Sequence, residues 1–301
     1  MTRAAPPRRL VFLGTPQMAV PPLRALLAAG FDIALAITRV DKRRGRGSQL
    51  LPSPVKAAAI ALGIPVSHSV DDGLDVGADL GVVVAFGQLI KPHVLDKLPM
   101  VNLHFSLLPR WRGAAPVERA VLAGDPETGV CLMQLEAGLD TGPVYRCEVV
   151  PIGASTTAAE LRHDLVRIGT EMLLDELRLG LGVPQPQTGE ATYAAKITAE
   201  ELQIDWSEPP AKIDRLVRLG GAWTTLQGRR LRILAVAVHD ADASPSDQLL
   251  GDCVGGLRLL TVQPEGKAAM PFEAFARGAR LAEVERLGAG ARPDDDGSVG
   301  D

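Results

Sequence analysis

The first half of the chain alternates two textures. Residues 8–14, RRLVFLG, form a short apolar run ending at Gly14, and AVPPLRALLAAG (19–30) follows with apolar positions at helical spacing and Gly30 as its stop. The pattern then repeats. FDIALAITR (31–39) predicts a second strand, and SPVKAAAIALG (53–63) a helix with Ser53 as N-cap, Pro54 at the first position and Gly63 at the end. IPVSHS (64–69), DLGVVVAFG (79–87) and MVNLHFS (100–106) predict further strands. Strands alternating with helices predict a doubly wound, Rossmann-like, mostly parallel sheet with helices on both faces.

Past Pro109, APVERAVLAGD (115–125) predicts a helix, and TGVCLMQLE (128–136) and GPVYRCEVVPI (142–152) predict strands around the loop AGLDTG (137–142). The long amphipathic stretch 155–180, entered through Ser155, Thr156 and Thr157, completes a first domain placed at 1–182. Residues 183–205 are rich in Pro, Gln and Thr, lack apolar periodicity and predict a linker. Over 206–288 the texture changes. IDWSEPPAKIDRLVRLG (204–220) predicts a short strand and a helix, whereas 222–239, 249–264 and AAMPFEAFARG (268–278) predict short strands joined at Gly turns. That is a smaller β-rich domain of barrel type, OB-like. The tail 289–301 has almost no apolar content and is expected to be disordered.

Composition narrows the class. With 301 residues, 46% hydrophobic and only 4% aromatic, the chain can bury a core built of aliphatic side chains. Its three cysteines, Cys131, Cys147 and Cys253, are odd in number and lack C-x-x-C spacing, so neither a disulfide framework nor a zinc site is expected, and a reducing cytoplasm fits. The apolar run LVFLG is too short for a signal peptide or a membrane span. The net charge of -4 carries no global nucleic-acid signature, yet RVDKRRGR (39–46) packs five basic residues against one acidic one.

Candidate chemistry concentrates in a few places. Gly14 invites a dinucleotide fingerprint, but GTPQMA lacks its second and third glycines, and a tight strand-to-helix turn is the better reading. His68, His93, His163 and His239 have no partner motif and read as structural. His104 differs. It ends a parallel strand, where doubly wound sheets place their ligand crevice, and side chains at i and i+2 of a strand share a face, so Asn102 points the same way. An amide beside an imidazole can stabilise a developing oxyanion and move a proton. Asp140, in EAGLDTGPVY, is the candidate carboxylate; Gly138 and Gly142 flank it and would permit close main-chain approach and positive φ. Alone, Asp140 reads equally well as a turn aspartate. Together the three suggest acyl or one-carbon transfer without a metal or a covalent intermediate. The cationic loop Lys42, Arg43, Arg44, Arg46 is either a solvated turn or, being broken by Gly45 and Gly47 beside the crevice, the site of a phosphate-rich partner.

These residues resemble the folate-dependent formyltransferase family. The likeness rests on NLHFSLLPRWRGAAP followed by LEAGLDTGPVY and covers about residues 8–288. FLGTP, DKRRGRGSQLLPSPVK, TYAAKIT, IDW and LLTVQPEGKAAMPFEAFARG are similar to members that act on aminoacylated tRNA. The resemblance implies transfer of the formyl group of 10-formyltetrahydrofolate to the α-amino group of methionine on initiator tRNA; a cytoplasmic monomer working without metal or membrane is the expectation that accompanies it. By the same resemblance Asn102 and His104 polarise the formyl carbonyl while Asp140 orients His104. Ser106, Leu107, Leu108 and Pro109 then line the folate site, with the main chain around Phe86, Gly87 and Leu89 at the pterin edge. Lys42, Arg43, Arg44, Arg46, Arg229 and Arg230 meet the tRNA. Three departures from the family pattern stand out: Phe105 for a small residue, Cys131 for a threonine, and missing prolines in RLGGAWTT. Family members acting on a glycinamide ribonucleotide or an amino sugar, a formyl-folate hydrolase, and a non-catalytic RNA-binding protein are the competing readings. The first needs neither the cationic loop nor the basic β-domain, the hydrolase has no use for the domain that carries QPEGK, and the last needs the loop but not Asn102, His104 and Asp140 together.

Overall fold

A computed structural model describes residues 3–43 (main chain only at 42 and 43), 50–238, 256–279 and 287–288. The chain divides into two compact units, one of Met1–Ala120, Pro126–Gly153 and Glu160–Lys196, the other of Val121–Asp125, Ala154–Ala159 and Ile197–Asp301.

In chain order the first part of the fold runs β1 (Arg9–Gly14), α1 (Val20–Ala28), β2 (Asp32–Ile37), β3 (Lys42–Arg43), β4 (Leu50–Leu51), α2 (Pro54–Ala61), β5 (Val66–Ser67), β6 (Leu80–Val84), α3 (Pro92–Leu95) and β7 (Met100–His104). It continues with β8 (Arg112–Gly113), α4 (Pro116–Ala123), β9 (Glu127–Gln134), β10 (Val144–Pro151), α5 (Ala158–Leu179) and β11 (Tyr193–Ala194). The Ser53 hydroxyl accepts the Lys56 amide at 3.0 Å, so α2 starts at the cap read from the sequence.

Seven strands form one sheet in the order β10-β9-β7-β6-β1-β2-β5. The pairs among β5, β2, β1, β6 and β7 are parallel, and β9 and β10 are added antiparallel at one edge. Leu10, Val11, Phe12 and Leu13 are all fully buried, as a central strand covered on both faces must be. Gly81 fits in β6 because it has no side chain: a Cβ there would fall 2.7 Å from Met100 Cγ on β7.

The chain leaves β1 toward β2 and β5, then returns to the other side of β1 with β6. In doubly wound sheets such a reversal is where the ligand crevice is expected, here beyond the carboxyl ends of β1 and β6, with β7 next in line. A Cβ on Gly14 would lie 2.9 Å from Ala19 Cβ and 3.0 Å from Val84 O, so the first turn is tight.

The second unit contains α6 (Pro210–Val217), β12 (Trp223–Leu226), β13 (Arg229–Val238), β14 (Leu257–Pro264), β15 (Met270–Pro271) and α7 (Phe272–Ala279). Its strands form a four-stranded antiparallel sheet, β12-β13-β14-β15, over a core that includes Ile213, Val217, Leu231, Ile233, Val262 and Phe272. Two local expectations change. The strand expected near Ile204 is reduced to a single bridge from Gln203 to Trp223. PFEAFARG, read as strand, is the helix α7: Phe272, Phe275 and Ala276 recur at helical rather than alternating spacing and pack on this core. Residues 249–255, with Cys253, and the tail 289–301 lie outside the described residues. No helix among the described residues is long and apolar enough to cross a membrane.

Candidate active site

Strand β7 carries Asn102 and His104 at its carboxyl end. Val101 and Leu103, on the opposite face, are 1% and 2% exposed and lock the strand into the core. Asn102 sits between Val83 of β6 and Met133 of β9, and His104 stands opposite Cys131. Both polar side chains are buried, a costly placement unless their polar atoms find partners. His104 Nε2 lies 2.9 Å from the Trp111 carbonyl, which can only accept, so this nitrogen carries the hydrogen. Nδ1 then faces the Asp140 carboxylate, with 3.6 Å between Nδ1 and Oδ2, in ion-pair range for a protonated ring.

Asp140 is placed by main-chain geometry and a ring of hydrogen bonds. It is itself left-handed, at φ +50°, whereas the sequence assigned that freedom to Gly138 and Gly142. Those two glycines serve the other expected purpose, close approach. A Cβ on Gly142 would fall 2.0 Å from Gln134 O, and one on Gly138 would fall 2.3 Å from Thr141 Oγ1. The Gly113 amide donates to Asp140 Oδ2 at 2.8 Å. Gln187 Nε2 donates to the carbonyls of Asp140 and Gly142, both at 2.8 Å, and Gln187 Oε1 accepts from Arg112 Nε at 3.1 Å and from Arg112 NH2 at 2.6 Å. Sequence reasoning missed this set: the Trp111 carbonyl and the Gly113 amide are main-chain groups without a residue signature, and Gln187 stands in a stretch read as linker.

That stretch is tied down. Val144 and Gln185 form an antiparallel bridge, β11 pairs in parallel with β8, and the Trp111 amide donates to Thr192 Oγ1 at 2.9 Å.

The remaining candidates lie around the carboxyl edge. Ser106 is fully buried, and its hydroxyl donates to Arg110 O at 2.5 Å, so it braces its own turn. Leu107 packs where a Cβ on Gly129 would come within 2.4 Å of its Cδ2. Leu107, Leu108 and Pro109 are partly exposed, and the Leu108–Pro109 peptide is cis. After β6 the main chain turns left-handed at Ala85 and Gly87. Phe86 between them is buried in the core with Val11, Leu13 and Leu35, and its carbonyl accepts Thr15 Oγ1 at 3.1 Å. Leu89 is 81% exposed. A cation that the sequence did not single out stands beside this turn: Arg39 NH1 lies 3.8 Å from where a Cβ on Gly87 would be.

Of the basic residues, Lys42 and Arg43 form the first arm of a small hairpin with Leu50 and Leu51, and Arg44 and Arg46 lie outside the described residues. Asp41, the acidic member of that run, is 2.7 Å from Lys56 on α2, so its charge is matched from outside the loop. In the second unit Arg229 and Arg230 are exposed on β13, and the Arg230 guanidinium stacks over the Trp223 ring at 4.2 Å.

One expectation is overturned. Cys131 and Cys147 form a disulfide, although spacing alone suggested none. The reason is register: β9 and β10 run antiparallel with these two residues directly opposite. His104, Cys131 and Cys147 therefore stand in one row across three neighbouring strands.

An amide, an imidazole and a carboxylate gathered at the carboxyl edge of a doubly wound sheet define a group-transfer enzyme. Residues 8–177 match the family model described as formyl transferase, and residues 196–280 match that of the formyl transferase C-terminal domain. The chain belongs to the formyl transferase family of enzymes. Its similar proteins include the methionyl-tRNA formyltransferase of Roseobacter denitrificans, 43% identical over 91% of this chain and 96% of that one. That of Thermobifida fusca is 40% identical over 93% and 99% of the two chains. Among solved structures, HypX from Aquifex aeolicus in complex with tetrahydrofolic acid superposes with a TM-score of 0.63 at 15% identity; the match covers 93% of this chain and 48% of HypX. An N-formyltransferase from Helicobacter canadensis gives 0.62 at 17% identity over 85% of this chain and 98% of its own. These two likenesses bear on the fold alone.

Proposed function

We propose that this enzyme transfers the formyl group of 10-formyltetrahydrofolate to the α-amino group of methionyl initiator tRNA, giving N-formylmethionyl-tRNA for translation initiation. The observation that carries the reading is the His104–Asp140 pair beside Asn102 at the end of β7. Such a set serves a carbonyl attacked by an amine. Both ring nitrogens of His104 are engaged, Nε2 with the Trp111 carbonyl and Nδ1 with Asp140, so the Asn102 amide supplies the hydrogen bond to the formyl oxygen while the His104 ring, oriented by Asp140, stabilises the developing charge through its field. The new carbon–nitrogen bond forms as the bond to the folate nitrogen breaks; one proton leaves the amine and one reaches that nitrogen.

The donor lies along the Ser106–Pro109 turn and the main chain of Phe86, Gly87 and Leu89. The tRNA acceptor arm meets Lys42, Arg43, Arg44 and Arg46, and the second unit adds Arg229 and Arg230. Phosphate contacts of this kind position a nucleic acid rather than read its sequence. The name shared by relatives that match both units supports the choice of amine. The remaining assignments are a catalytic domain at 1–182, a linker at 183–205, a tRNA-binding domain at 206–288, and a cytoplasmic monomer.

The test is formyl transfer from 10-formyltetrahydrofolate to methionyl initiator tRNA, run beside methionyl elongator tRNA and a tRNA-free control. Selective formylation of the initiator is expected. Loss of the formyl group to water or to a small amine, without transfer to tRNA, sinks the reading.

A further inference from the structure

We infer that Gln187 is a positioning residue for the transfer reaction, holding the Asp140 loop so that its carboxylate stays beside His104; this rests on the proposed function above. The loop's carboxylate is held by the Gly113 amide and its far end by the bond from the Gln134 amide to the Pro143 carbonyl, but the main chain around Asp140 stands out from the sheet. Residues 136–139 and Thr141 are exposed on either side of Asp140, and Asp140 is left-handed, a conformation that needs surrounding contacts to persist. Gln187 supplies them from a distant part of the chain. An amide nitrogen has two hydrogens, and Gln187 places one on the Asp140 carbonyl and one on the Gly142 carbonyl.

The orientation of that amide is set as well. Its oxygen accepts two bonds from the Arg112 guanidinium, which excludes the flipped rotamer. The residue after Arg112 closes the ring, since the Gly113 amide holds Asp140 Oδ2. Both the main chain and the carboxylate of Asp140 are thus referred to one segment, 112–113, which β11 fixes by strand pairing. The geometry asks for glutamine in particular. Glutamate would keep the length and the bonds to Arg112 but would set a negative oxygen against two carbonyls; alanine would remove both links.

The experiment uses the full chain with Gln187→Glu and Gln187→Ala, each also in an Asp140→Ala background. Each single variant is expected to lower kcat about tenfold or more, in keeping with the cost of misplacing a catalytic group by a fraction of an ångström to an ångström. KM for both substrates should stay within about twofold, because Gln187 acts through Asp140 and not on substrate. In the Asp140→Ala background neither substitution should cost anything further. A residue that merely anchors the chain would lower activity by the same factor in both backgrounds, and that result overturns the inference, as does an unchanged kcat. A second readout is independent of turnover: in ¹⁵N-histidine spectra the His104 Nδ1 signal of Gln187→Ala should move toward that of Asp140→Ala. No movement overturns the inference too. Should the parent enzyme move the formyl group to water or another amine, the proposed function falls while Gln187 is still judged on that turnover and on the spectra.

Discussion

His104 Nδ1 and Asp140 Oδ2 are 3.6 Å apart, and the same carboxylate oxygen accepts the Gly113 amide at 2.8 Å. Asp140 therefore has two tasks, one electrostatic and one structural, and substitutions separate them. Asp140→Asn keeps an oxygen for Gly113 and loses the charge facing the ring; Asp140→Ala loses both. His104→Ala and Asp140→Ala are each expected to lower kcat by roughly 10²–10⁴. Binding of methionyl-tRNA should be unchanged. A large loss of tRNA affinity in either variant, measured by filter binding, would contradict the assigned roles.

Neutralising Lys42, Arg43, Arg44 and Arg46 should act on the other half of the reaction. The dependence of log K on log salt should flatten by roughly 0.7–0.9 for each phosphate that the protein no longer neutralises. Asp41, the acidic residue of that run, is matched by Lys56 on α2. Titrations at several salt concentrations check the flattening; a variant with lost turnover and an unchanged salt slope would refute it.

The Cys131–Cys147 cross-link joins residues 16 apart in sequence. In the chain-entropy account a loop of this size contributes about 3 kcal/mol by constraining the unfolded chain. Reduction, or Cys147→Ser, should lower the urea midpoint accordingly, and because it frees the unfolded chain to expose more surface it should steepen the transition and not flatten it. Coincident denaturation curves for the oxidised and reduced protein would show that the link contributes nothing.

At the amino end of β1, Asp79 accepts the amides of Arg9 and Arg8 at 2.9 and 2.8 Å. These bonds, that from Arg9 first, hold its carboxyl below the ordinary carboxylate range. The folded value is the lower one, so the stabilisation is complete above the unfolded value and is lost as pH falls through the folded value. The stability difference between the parent and Asp79→Asn should accordingly be full at neutral pH and shrink to nothing in acid. A difference that is constant from neutral to acidic pH would argue against this origin.

Local chemistry was legible in the sequence. Alternating apolar runs and helical stripes announced the parallel sheet, Ser53 and Pro54 announced the start of α2, and the period of two in β7 put Asn102 and His104 on one face. Each depends on neighbours in sequence, where periodicity and capping act. Asp140 could be nominated from its loop, and the close main-chain approach read from its flanking glycines is found at Gly142 against Gln134 O, but the left-handed main chain falls on Asp140 itself, which the sequence did not announce. Only the tertiary structure brought Asp140 to His104, paired Cys131 with Cys147, and folded Gln187 back over a loop 47 residues earlier in the chain. Those contacts arise from strand order, antiparallel register and main-chain donors and acceptors. Such groups are the same in every residue, so their partners are chosen by the packed sheet and not by the letters beside them.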